Sequence, residues 1–135
     1  MTAIPADLGA VTLFVADVAR AKAFYSRVFG LAPIYEDDVA AAFRFQNVVI
    51  NLLERRAAPE LVAPSAIAEP GAGTGALLTI WVDDSAAAIA ELEARGVELL
   101  NGPFDRPWGQ RTAAFADPDG HVWEVAQTIP ATKTA

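Results

Sequence analysis

The chain has no cysteine, one histidine and one methionine among its 135 residues. Without cysteine there can be no disulfide, no thiol nucleophile and no cysteine-based metal site. A single histidine leaves a Ser-His-Asp triad only one candidate base, His121, and nothing places Ser26, Ser65 or Ser85 beside it. Long hydrophobic runs are missing too. The longest uncharged apolar stretch, Leu8 to Ala16, falls far short of the roughly 20 residues that span a bilayer. Met1-Thr2-Ala3-Ile4-Pro5 lacks the basic opening of a signal peptide, so the expectation is a cytoplasmic protein with no membrane partner. Positive charge is scarce: 10 Lys and Arg stand against 17 Asp and Glu, a net charge of -7. That balance repels phosphate backbones and argues against a nucleic-acid partner. It suits a cationic small molecule, although an acidic surface commonly serves solubility alone.

What is present is a globular composition, 53% hydrophobic and 20% charged. A single domain of this length buries about 70% of its unfolded surface, enough for a core without staples. The chain also repeats itself. Thr12-Leu13-Phe14-Val15-Ala16-Asp17 returns as Thr79-Ile80-Trp81-Val82-Asp83-Asp84, and Val48 to Leu53 has a counterpart in His121 to Ala126. Each first segment alternates like a strand and runs into an Asp able to cap a helix. The first helix has Ala21, Phe24, Tyr25 and Val28 on one stripe and stops at Gly30; the second starts at Asp84 or Ser85 and stops at Gly96. Strands are predicted at 10–16, 33–37, 40–46, 48–54, 76–82, 97–101, 110–116 and 121–127. Residues 55–75, rich in Pro and Gly, read as a connection that either packs over a site or links the halves loosely. Asp117-Pro118-Asp119-Gly120 reads as a turn, and residues 128–135 as a flexible tail.

Val15-Ala16-Asp17 through Phe24-Tyr25 and Phe29-Gly30-Leu31 resembles the vicinal oxygen chelate superfamily. So does Pro107-Trp108-Gly109-Gln110-Arg111 followed by Asp117-Pro118-Asp119-Gly120-His121-Val122-Trp123-Glu124. That superfamily includes glyoxalase I, extradiol dioxygenases, fosfomycin-modifying enzymes and bleomycin-resistance proteins. The resemblance spans about residues 8 to 127. It implies an α+β fold in which two βαβββ modules (about 8–54 and 76–127) form a cup-shaped mixed sheet with helices packed outside. It also implies a homodimer. In its metal-using branches, ligands come from equivalent strands of the two modules. The positions implied here are Ala10, Asn51, Leu77 and Glu124. One carboxylate, one amide and two hydrocarbons do not make a divalent-metal site, so neither a metal nor another cofactor is expected.

Strand parity puts Thr12, Phe14, Asn51, Thr79, Trp81 and Glu124 on one face, with Leu13, Val15, Ile80 and Val82 packed under the helices. With Trp108, Arg44 and Arg111 added, these residues are the expected ligand-binding set. Such a lining suits an aromatic or planar molecule. Glu124 is the candidate catalytic residue, as a general base. An apolar surrounding obliges it to be paired with Arg44 or Arg111, Arg111 being favoured, or else to be protonated. His121 lies at odd separation from Glu124 and reads as a turn histidine bonded to nearby backbone. The expected function is metal-independent binding and sequestration of an aromatic or cationic compound. The alternatives are a glyoxalase-like lyase, dioxygenase or isomerase using Glu124, and a structural dimer whose cup is filled by its own aromatics.

Overall fold

The computed structural model describes residues 3–131. Two compact units divide the chain after Ala68. The first runs β1 (Ala10–Val15), α1 (Val18–Phe29), β2 (Tyr35–Glu36), β3 (Ala40–Arg44) and β4 (Val49–Glu54). Its sheet has the order β1-β4-β3-β2, with β1 parallel to β4 and the other pairs antiparallel. The second unit repeats the plan with β5 (Leu77–Trp81), α3 (Ser85–Ala94), β6 (Asn101–Arg106), β7 (Gln110–Ala116) and β8 (Val122–Thr128), in the order β5-β8-β7-β6. Each unit is a βαβββ module built on a four-stranded mixed sheet. The fold is α+β, as the resemblance implied, and the two modules are those the repeat marked.

Helix α1 forms where its apolar stripe predicts. Val18, Ala21, Phe24, Tyr25 and Val28 are buried, and the Asp17 carboxylate accepts from the Ala19 and Arg20 amides at 2.9 and 3.2 Å. A cap of this kind contributes about 1 kcal/mol. Tyr25 packs against Phe24, Phe29 and Phe43 with ring centroids 5.2, 5.9 and 6.2 Å away. Leu13, Val15, Ile50 and Leu52 complete the layer beneath the helix. Burying each large apolar side chain there stabilises by about 1.5–3 kcal/mol.

The parallel strands meet their helices in the same way in both units. At the end of β4, Glu54 Oε2 accepts the Val18 amide at 3.0 Å. At the end of β8, Gln127 Oε1 accepts both the Ser85 amide and the Ser85 hydroxyl at 2.8 Å. Helix α3 closes through Gly96. The Val97 amide donates to Leu92 and the Gly96 amide to Glu93, a Schellman arrangement with Val97 and Leu92 buried together.

That ending displaces one expected strand. Residues 97–101 do not form it, because Val97 is tied back to the helix; pairing begins at Leu100, and β6 occupies 101–106. The connection 55–75 also departs from expectation at its start. A 3-10 turn over Arg55–Ala57 and a short helix α2 over Pro59–Val62 fold there, with Ala58 fully buried. The expected tail begins too early at 128: Thr128 pairs with Gln110, and the Ile129 amide donates to Gly109 at 2.9 Å. Residues 132–135 of that tail lie outside the described residues.

Candidate functional site

In each sheet the face away from the helix carries the polar groups. In the first unit Ala10, Thr12 and Phe14 stand opposite Val49, Asn51 and Leu53, and Ala42 and Arg44 continue the same face across β3. Asn51 donates from Nδ2 to Thr12 Oγ1 at 3.3 Å. Arg44 is exposed on this face while its neighbour Phe43 is fully buried beneath α1.

The second unit repeats the pattern with different chemistry. Thr79 stands opposite Glu124, and its hydroxyl donates to Glu124 Oε2 at 2.9 Å. This is the only hydrogen bond of the Glu124 carboxylate among the described residues. Trp81 pairs with Ala126 and is 66% exposed, so it lies on the helix-free face and not between sheet and helix. Leu77 and Val122 flank Glu124 on one side and Thr112 and Ala114 on the other. Trp108 stands at the β6–β7 turn, half exposed, with its indole N–H on Gln110 Oε1 at 3.2 Å.

The arginine on this face is Arg106, not Arg111. Arg106 donates from Nε to Thr112 Oγ1 at 2.9 Å and lies 5.1 Å over the Phe104 ring. Arg111 pairs with Gln127, whose amide serves the start of α3, so it belongs to the other face. Its guanidinium forms two bonds to Asp105, at 2.6 and 3.1 Å, which hold the Asp105 carboxyl below its ordinary range. Arg111 is not bonded to Glu124, which takes the Thr79 hydroxyl instead. Two things hid Arg106. The expected strand lay too early, and a bulge between Asn101 and Phe104 inserts one residue against β7, which reverses the parity of everything after it.

The family model of the glyoxalase/bleomycin resistance protein/dioxygenase superfamily matches residues 7–125. The chain belongs to that superfamily. No curated protein matches the chain. Among solved structures, a glyoxalase/bleomycin resistance protein/dioxygenase from Nocardioides is 23% identical with a TM-score of 0.85, over 99% of this chain and 91% of that one. TnmS3, an antibiotic binding protein from Streptomyces sp. CB03234, is 28% identical with a TM-score of 0.69, over 95% of this chain and 99% of its own. A lactoylglutathione lyase from Agrobacterium tumefaciens is 23% identical with a TM-score of 0.72, over 91% and 94%.

The residues at the superfamily's implied ligand positions do not fit a divalent metal. Ala10 and Leu77 offer no donor atom, and Asn51 and Glu124 are each bonded to a threonine on the neighbouring parallel strand. Among the described residues no three His, Cys, Asp or Glu gather to share an ion. No described helix is long and apolar enough to cross a membrane.

His121 was expected to hydrogen-bond nearby backbone; its ring instead meets a side chain. Nδ1 lies 2.8 Å from Asp117 Oδ2, and the Asp117 side chain is completely buried. The other oxygen, Oδ1, accepts the amides of Asp119 and His121, both at 2.9 Å. The Asp117 hydrogen bond raises the His121 pKa above its ordinary 6.5, against the opposing effect of burial. The pair organises the turn into β8 and thus the strand that presents Glu124.

Proposed function

We propose that this chain is a metal-independent binder of a small organic molecule, acting by sequestration. The observation that carries this reading is the pair of equivalent polar couples, Thr12–Asn51 and Thr79–Glu124, in each of which one member, Asn51 or Glu124, occupies a position the superfamily resemblance implies for a metal ligand and is bonded to a threonine. Each couple sits on a helix-free sheet face, Thr79–Glu124 beside the exposed Leu77 and Trp81 and Thr12–Asn51 beside the half-buried Phe14 and Leu53. Such a surface orients a planar ligand by one or two hydrogen bonds and covers it with hydrocarbon and indole. Glu124 keeps one oxygen for a ligand N–H or O–H. In the second unit Arg106 and Trp108 supply further contacts, and in the first unit Arg44 does the same for the face of its own sheet. The similarity to TnmS3, an antibiotic binding protein, at 28% identity supports the same class.

The test joins metal and charge. Chelator-treated protein should bind members of a panel of planar aromatic and cationic compounds, followed by tryptophan fluorescence, as tightly as untreated protein does. Glu124→Gln keeps the shape and removes the charge. It should weaken binding about tenfold or more, as expected for losing a charged hydrogen-bond acceptor. Binding that vanishes with the chelator, or that ignores Glu124→Gln, would remove the basis of the reading.

A homodimer accompanies this proposal. Ile34, Tyr35, Leu61 and Leu100 are each more than half exposed, apolar surface of the kind a second copy would cover. Light scattering at micromolar concentration should return twice the chain mass. A monomer mass would count against it.

A further inference from the structure

A hollow of about 250 Å³ lies at the C-terminal ends of β5 and β8, lined by Trp81, Val82, Asp83, Ala126, Gln127 and Thr128. It adjoins the Glu124 face and shares Trp81 with it. Asp83 took no part in the reading above. We propose that this hollow is a binding site for a small alkylammonium cation, held by the Trp81 indole and the Asp83 carboxylate.

Three features point to a cation. Asp83 makes no hydrogen bond or ion pair among the described residues, whereas Asp84 beside it is committed to capping α3 through the Ala87 amide at 3.1 Å. An anion would look to the start of α3, but the Ser85 and Ala87 amides there already donate to Gln127 and Asp84. No Lys or Arg lines the hollow. Beside this lone carboxylate stands an indole that is 66% exposed. A face of that kind attracts an ammonium through its quadrupole while covering the alkyl groups around it. Thr128 completes the polar part of the lining with Asp83 and Gln127. The net charge of -7 raises the local concentration of cations near the surface. The volume is below the roughly 300 Å³ at which drug-sized sites begin, so it suits a headgroup and not a whole polycyclic ligand.

The inference rests on the ligand-binding reading only in sharing Trp81, and the two can be separated. The probe is choline, compared at low ionic strength with 3,3-dimethylbutan-1-ol, which has the same shape without the charge. The readout is the Trp81 indole N–H signal in proton–nitrogen spectra, assigned by its loss in Trp81→Phe. Choline should shift this signal saturably and the alcohol should leave it in place. Asp83→Asn should weaken choline binding about tenfold, the size expected for one facing charge. Both positions are exposed, so neither variant should disturb folding. An equal response to the alcohol, no response to choline, or full choline affinity in Asp83→Asn would each overturn the proposal. If Glu124→Gln weakens choline as much as Asp83→Asn does, the cation belongs to the Glu124 face. The proposal then falls and the ligand-binding reading stands. Choline binding that depends on Asp83, in a protein with no Glu124-dependent ligand, upholds the cation site and sinks the other reading.

Discussion

Alanine in place of Gly102 should destabilise the protein by about 3 kcal/mol, combining the cost of a positive φ with that of forced overpacking. Gly102 has φ 93°, and a Cβ built there would meet the Thr112 carbonyl oxygen at 2.5 Å and Ala113 Cα at 2.8 Å. Both are backbone atoms of β7, so no side chain can turn aside. For a domain of this size the loss corresponds to a melting temperature lower by about 10 °C. Gly73→Ala is the control. Its φ is 96° but nothing lies within 4 Å, so only the conformational cost applies, about 1 kcal/mol. Calorimetry that finds the two variants equally stable would show that the close approach of β6 to β7 is dispensable. Function should suffer alongside stability, because this bulge turns Phe104 and Arg106 onto the helix-free face.

The second large effect is expected at Asp117. Asp117→Asn keeps an oxygen for the Asp119 and His121 amides but places an amide nitrogen before the His121 ring. A donor there cannot stabilise an imidazolium. The loss should be about 2 kcal/mol in mild acid, the scale of a hydrogen bond to a charged group. Its pH dependence has a definite sign. The folded-state pKa of His121 is raised above 6.5, so protonated His121 contributes stability in full below about pH 6.5. That contribution fades as pH rises through the folded value. The gap between native protein and variant should therefore be widest in acid and narrow towards alkaline pH. His121 is the only histidine, so a single imidazole resonance reports the titration. A midpoint at or below 6.5 in the native protein would contradict the Asp117 contact.

The sequence revealed the elements that rest on local chemistry and periodicity. Both helices were legible from an Asp before an apolar stripe and a glycine after it, and the two βαβββ modules from the echo of Thr12–Asp17 in Thr79–Asp84. Strand parity also placed Thr12, Asn51, Thr79, Trp81 and Glu124 on the helix-free faces. Parity failed where the chain is irregular. The bulge before Phe104 shifts β6 by one residue, and the tie of Val97 to Leu92 delays the strand. Arg106 is hidden in consequence, and it is hairpin adjacency to the strand of Glu124 that points to Arg111 instead. Arg111 shares parity with Ala113 and Phe115, both buried, and that was a signal already present against pairing it with Glu124. The Glu54 and Gln127 contacts were hidden because each joins a strand end to a helix start far off in sequence, although their matching places in the repeat marked them.

Those two contacts make the halves of this chain unequal towards acid. In one module the helix amide is received by a carboxylate, in the other by a side-chain amide that carries no titratable proton. The Val18 amide, followed by Arg56, lowers the pKa of Glu54 below its ordinary 4.5. The stability Glu54 contributes is therefore present above about pH 4.5 and disappears as pH falls through the folded value. Gln127 undergoes no such change. Acidification thus acts on the seam between β4 and α1 and leaves its counterpart between β8 and α3 untouched. One exchange of oxygen for nitrogen at a repeated position has made a near-copy into a half with its own environmental tolerance.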